Sequence, residues 1–260
     1  VLITGALGFA GASGNVSLTA EDNVELSEAL ADVTTSGTYT VTADSDGDGT
    51  GDYIQGNSGS AVTITNNTVM ITAADFSLVG TIDSGSGDIT LSNSTATGSI
   101  GLGAADEDFD VADAELDQIT TSGTLTVGGA NTTSIVVDGV TDPANIATFV
   151  LDATRNGASV TTENGASTFN VLTANADDGI TVNADLATDN GDLVLDGDAD
   201  GAADSADRVA VGGGVTISAV GNLSVDATTN GVRLNGANGT THTFTSVSYT
   251  HLTLPTNGLV

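Results

Sequence analysis

Apolar and polar residues alternate with period two along most of the chain, in runs of three to five residues. Val16-Ser17-Leu18, Tyr39-Thr40-Val41, Val62-Thr63-Ile64, Ile89-Thr90-Leu91, Leu125-Thr126-Val127, Ile180-Thr181-Val182 and Leu193-Val194-Leu195 are examples, each bounded by Gly, Asn, Asp or Ser. This pattern predicts short β-strands with one dry face of Val, Ile and Leu and an outer face of Thr and Ser. Helical spacing is confined to Leu26–Leu30 and Asp113–Ile119, one or two turns each.

The strands recur in an order that predicts architecture. Asp32-Val-Thr-Thr-Ser-Gly-Thr-Tyr-Thr-Val41 returns as Gln118-Ile-Thr-Thr-Ser-Gly-Thr-Leu-Thr-Val127, an offset of 86. Asn23-Val-Glu-Leu26 aligns with Gly179-Ile-Thr-Val182 at an offset of 156, and Leu30 with Leu186. After a two-residue gap the match resumes at Gly37–Val41 and Gly191–Leu195. Repeats of short strands without long helices between them suit a stacked, all-β fold, a right-handed parallel β-helix of about ten rungs at roughly 20–30 residues each. An array of β-sandwich domains is the alternative. It calls for larger aromatic core residues, and the chain has six Phe, three Tyr and no Trp.

Charge narrows the function. Against 34 Asp and Glu stand three basic residues, Arg155, Arg208 and Arg233, for a formal net charge of −31. Such a surface cannot replace the counterions of DNA or RNA, and it is repelled by anionic membranes. No apolar run approaches 18 residues, so no membrane-spanning helix and no direct membrane insertion are predicted. A hydrophobic content of 39%, a mean hydropathy of +0.15 and only two Pro argue for folding despite the charge. The absence of Cys removes disulfides and thiolate metal sites. Val1–Ala12 is apolar and Gly-rich but lacks an initiator Met and a basic leader region, and reads as an internal segment.

Two stretches resemble a known family. Asp113-Ala-Glu-Leu-Asp-Gln-Ile-Thr-Thr-Ser-Gly-Thr-Leu-Thr-Val-Gly128, followed by Ser134-Ile-Val-Val-Asp-Gly139, resembles a recurrent segment of filamentous haemagglutinin-type adhesins, and Asp178–Leu195 is similar to another. The resemblance covers Gly14–Gly236 in style, and only those stretches are specific. It implies a parallel β-helix from a large secreted or surface-tethered protein of a Gram-negative-type bacterium, with residues 1–245 an internal piece of its shaft. Its partner would be a receptor or glycan on a host or neighbouring cell. Residues 246–260 are expected to be foreign to the shaft, because Val247–Thr256 resembles the translated read-through of a sequencing-library adapter.

The chemistry lies in aspartates. Asp44, Asp46, Asp48 and Asp52, with Thr50 between the last two, place oxygens as an EF-hand-like loop does, with Gly49 at the sixth position and Gln55 at the twelfth. Asp196, Asp198, Asp200 and Asp204 repeat the pattern around Gly201 and add Asp207 at the twelfth position. Both loops are candidate Ca²⁺ sites, the second expected to be the tighter because its twelfth residue is a carboxylate. Acidic turns between strands need no ion, since Asp and Gly favour turns anyway. Catalysis has thinner support: Asp106-Glu-Asp-Phe-Asp110 pairs carboxylates, His242 is the one credible histidine, and no lysine exists. No catalytic residue is assigned. The expected role is an adhesin shaft, with a polysaccharide-active β-helix enzyme or a surface-layer or biofilm matrix protein as alternatives.

Overall fold

Each alternating run becomes a strand whose apolar members point inward. In Tyr39–Thr42 and Leu193–Asp196, buried and half-buried positions alternate strictly. The computed structural model describes residues 1–8, 14–28, 32–141, 143–203, 206–237 and 240–246. Among these, every strand pairing is parallel, and nearly all join strands of neighbouring turns. The fold is an all-β parallel β-helix. β-sandwiches are assembled from antiparallel strands, so the sandwich alternative is set aside.

Three faces wrap one core. The longest face stacks Val16–Thr19, Tyr39–Thr42, Val69–Ala73, Ile89–Asn93, the end of Ile119–Gly128, Ile146–Ala153, Leu172–Ala176, Leu193–Asp196 and Leu223–Asp226. A second face runs through Val24–Leu26, Tyr53–Gln55 and Phe76–Leu78. It resumes at Phe109–Ala112 and ends at Val232–Leu234. Phe76 and Phe109, with ring centroids 6.1 Å apart, bridge the join. The third face begins with Leu7–Gly8 and closes with Thr216–Ala219 and Thr243–Ser246.

Register explains the repeats seen in the sequence. Val16, Tyr39, Val69, Ile89, Leu125, Phe149, Leu172, Leu193 and Leu223 form one inward column, each directly beside the next. The offset of 86 joins Tyr39 to Leu125 in that column and Val33 to Ile119 in a column of the third face. Both pairs are three turns apart. The offset of 156, less its two-residue gap, carries Tyr39 to Leu193. Along the first of these columns a turn takes between 20 residues (Val69 to Ile89) and 36 (Ile89 to Leu125). The long one accommodates two second-face strands, Ser99–Gly103 and Phe109–Ala112, and the only helix among the described residues, Asp113–Leu116.

The helical expectations shrink accordingly. Asp113–Ile119 yields a single turn, because Ile119 is already fully buried as the first residue of a strand. Leu26 ends the strand Val24–Leu26, and residues 29–31 lie outside the described ones. Leu30 and the stretch Val247–Thr256 are also outside them, so the first repeat's Leu30 and the tail have no structural description.

Candidate functional site

Aspartates dominate the charged residues because the corners use them. At corner after corner, an Asp or Asn carbonyl or carboxylate oxygen accepts the backbone N–H of the following turn. Asn23 accepts from Asp52 (2.8 Å), Asp75 from Asp110 (2.9 Å), Asp88 from Thr124 (2.8 Å), Asp178 from Ala206 (2.8 Å), Asp185 from Thr216 (2.7 Å) and Asp192 from Asn222 (2.7 Å). A carboxylate is a stronger acceptor than a carbonyl, and it satisfies an N–H that the bending backbone would otherwise leave bare. The short Asp side chain has just the reach from one turn to the next.

The first acidic turn adds a convergence to this scheme. Asp44 is buried, only 2% exposed, while Asp46 and Asp48 are exposed, and an oxygen from each lies within 4.8 Å of the other two. Both Asp44 carboxylate oxygens accept the Gly49 N–H at 3.1 Å, and Oδ2 also accepts the Ser94 hydroxyl. Asp44 itself sits at φ +52°, a left-handed conformation that Asp tolerates better than most residues. Gly51 is required beside it: a Cβ there would stand 2.2 Å from the Asp44 nitrogen.

The remaining residues proposed for that loop do other things. Asp52 belongs to the corner ladder through Asn23 and Asp75; burial, then the negative charge of Asp75, raises its pKa. Thr50 donates its N–H and hydroxyl to Asp48 Oδ1, at 3.1 and 2.5 Å. Gln55 is fully buried, accepting from Tyr53 Oη at 2.9 Å and donating to the Ser60 and Thr81 carbonyls. A twelfth-position ligand is therefore not to be found there.

The second loop keeps its aspartates apart. Asp198 is 4% exposed; its Oδ2 accepts the Thr229 N–H at 2.7 Å, and its Oδ1 is buried without a hydrogen-bond partner. Asp200 Oδ1 accepts the Ala202 N–H, Asp196 Oδ1 accepts the Asp198 N–H, and Asp207 is fully buried at the far end. Asp196 has its pKa raised by burial, with Asp226 of the next turn and Asp198 adding to the effect. Asp204 lies outside the described residues. No three carboxylates of the second loop converge as those of the first do, among the described residues.

Sequence reading missed two features. One is a run of crowded acids on the second face: burial first, then neighbouring Asp75, raises the pKa of both Asp110 and Glu115. Glu115 nonetheless accepts the N–H groups of Leu78 and Ala112 at 2.8 and 2.9 Å, tying the short helix to the second face. The other is the pairing of Arg208 and Arg233, which the chain separates by one turn and the fold brings to a single trough of about 450 Å³. Their spacing of 25 residues, within the range of a turn, was the available signal.

Two carboxylates of Asp106–Asp110 are engaged in local hydrogen bonds. Asp108 Oδ2 accepts from Ser99, Asp110 Oδ1 accepts from Glu107, and Phe109 between them is fully buried. His242 Nε2 lies 2.8 Å from the Asn235 carbonyl. No described helix is long and apolar enough to cross a membrane. No protein-family model, curated protein or solved structure matches the chain.

Proposed function

We propose that the chain is a length of shaft from a large, surface-exposed bacterial adhesin, holding binding regions away from the cell. The observation that carries this reading is self-similarity. Every turn presents the same inward column to the next, and Asp or Asn at the corners fastens turn to turn, so the structure extends without needing a second kind of element. A strongly acidic surface keeps such a rod soluble and prevents it from sticking to its neighbours. The partner in this reading is a receptor or glycan on another cell, and the location is the surface of a Gram-negative-type bacterium.

A polysaccharide-active enzyme is disfavoured by arrangement: glycoside hydrolysis uses two carboxylates flanking one bond, whereas the Arg208–Arg233 trough contains, among the described residues, the single carboxylate Asp178. The test is made on cells that express the parent protein. Antibody against residues 14–236 should label intact cells, and deleting the gene should reduce their adherence. Label appearing only after lysis, or purified protein releasing reducing ends from polysaccharide, would overturn the shaft reading.

The first acidic turn is also proposed as a weak Ca²⁺ site. Three carboxylates within 4.8 Å of one another repel until a cation neutralises them, and Ca²⁺ accepts such oxygens in flexible geometry.

A further inference from the structure

We infer that the trough holding Arg208 and Arg233 is a binding site for a carboxylate-bearing oligosaccharide. In a chain of net charge −31, two of the three cations stand on adjacent turns in one concavity. Neither guanidinium forms a salt bridge with a carboxylate among the described residues. With 34 acids available, guanidiniums would be expected to pair wherever geometry allowed. These two instead face an open trough. The one acid there among the described residues, Asp178, already accepts the Ala206 N–H at 2.8 Å.

The fold builds the concavity deliberately out of small residues. Thr161, Thr181, Ala210 and Arg233 form one outward column of the second face, by the register of their inward neighbours Val160, Ile180, Val209 and Val232. Gly179 and Arg208 are next to each other in the adjacent column. Gly179 has φ +95°, and a Cβ there would stand 2.3 Å from the Ala206 carbonyl oxygen, so the floor cannot be filled by a larger residue. Arg208 is fixed at its backbone, where its carbonyl accepts the Ile180 N–H at 2.9 Å. Arg233 is held in the strand Val232–Leu234. Two guanidiniums on neighbouring turns therefore line one concavity, and the guanidinium fork is the group that matches a carboxylate.

The ligand class follows from the rest of the lining. Ser159, Thr161 and Thr181 supply hydroxyls and Asn235 an amide, groups that exchange hydrogen bonds with sugar hydroxyls. The lining spans four turns, about 14 Å at the ~4.8 Å spacing of paired strands. An elongated oligomer fills that length and a single small anion does not. Carboxylates on the sugar meet the arginines, and its hydroxyls meet the Thr and Ser side chains. Binding here is independent of the shaft reading: it depends on the trough, not on the assembly that carries it.

The probe is tetragalacturonate, titrated into the protein and followed by calorimetry and by backbone amide NMR shifts, with neutral galactotetraose alongside. Tetragalacturonate should bind and move the amides of Thr161, Thr181, Ala210 and Arg233, while the neutral sugar binds at least ten-fold more weakly. Arg208→Gln and Arg233→Gln should each weaken binding about ten-fold. Arg155→Gln, which removes the same charge elsewhere, should leave it unchanged. Circular dichroism of all three variants should match the parent, and any variant that fails this check is replaced by the corresponding Lys substitution, which keeps charge but loses the fork. Equal weakening by Arg155→Gln would reduce the effect to net charge. Equal binding of the neutral sugar, or shifts confined to other turns, would likewise overturn the site.

Discussion

Calcium should stabilise the protein through the first acidic turn and not through the second. The perturbation is the double change Asp46→Asn and Asp48→Asn, chosen because both side chains are exposed and the variant keeps its core, whereas Asp44 is buried and hydrogen-bonded to Gly49 and Ser94. Three carboxylates supply fewer than the six to eight oxygens Ca²⁺ prefers, so water completes the shell and affinity falls to about 1 mM, the range of extracellular modules. At 10 mM Ca²⁺, mass action on the folded state then contributes about 1.4 kcal/mol. For a chain of this size that corresponds to a rise in Tm of about 3–5 °C. The assay is thermal unfolding by circular dichroism with and without 10 mM CaCl₂, and with 10 mM MgCl₂ as the control for diffuse screening. Mg²⁺ should do less, because it demands a tighter octahedral site and gives up water reluctantly. The Asp46/Asp48 variant should lose most of the response, and Asp196→Asn with Asp200→Asn should keep it. If the first variant responds as the parent does, or Ca²⁺ and Mg²⁺ act equally, the turn is an acidic corner and nothing more.

Three further outcomes are expected. Phe149→Ala removes a fully buried ring packed edge-on against Phe169 at 5.0 Å; it should cost about 3–5 kcal/mol, and hydrogen exchange should quicken around Leu125–Leu172 while Tyr39–Ile89 stays protected, because turns contact only their neighbours. Asp192→Ala deprives the Asn222 N–H of its acceptor and should cost about 1–3 kcal/mol by chemical denaturation, a loss that Asp192→Asn largely restores. Mild acid should stabilise the protein: Asp52, Asp110, Glu115 and Asp196 have raised pKa values in the fold, chiefly through burial. A carboxyl with a raised folded-state pKa stabilises fully below its unfolded pKa and loses that contribution as pH rises through the folded value, so Tm should climb as pH falls from about 7 toward about 4.5. A monotonic fall in Tm over that interval would refute the assignment of these four groups.

The strands and their stacking were legible in the sequence because both depend on local pattern. Alternation sets which side chains face the core, and the offset of 86 relates Tyr39 to Leu125, which share one column. The three-sided turn was harder to read, because turns of 20 to 36 residues blur any fixed period. The extra strand pair Ser99–Gly103 and Phe109–Ala112 leaves no repeat signature at all. Loop chemistry was legible only as composition. The EF-hand spacing assumes that one loop carries all its ligands, yet Asp52 and Gln55 engage other partners: the Asp52 carboxylate accepts the Asp75 backbone N–H of the next turn, and Gln55 is drawn into the core beside Tyr53. Ligand spacing along the chain cannot report this, since the competing partners are a turn away.

The same logic accounts for the charge itself. A solenoid exposes an N–H at each corner where the strand ladder bends away, and it meets that need once per turn for as long as it runs. Asp meets it best, being short enough to reach one turn and charged enough to bind firmly, as Asp192 does for Asn222. Repulsion between like carboxylates then accumulates along the rod, visible where Asp196 stands directly beside Asp226 on the next strand. Lys or Arg would relieve it, but a long cation at a corner would compete with the backbone N–H groups for the carboxylate oxygens and loosen the fastening between turns. A small diffusible cation relieves the repulsion without that competition, because it can share an oxygen that already accepts an N–H. On this view the near-absence of basic residues is a requirement of the corner design, and the two arginines that share one trough, neither in a salt bridge among the described residues, stand outside that design.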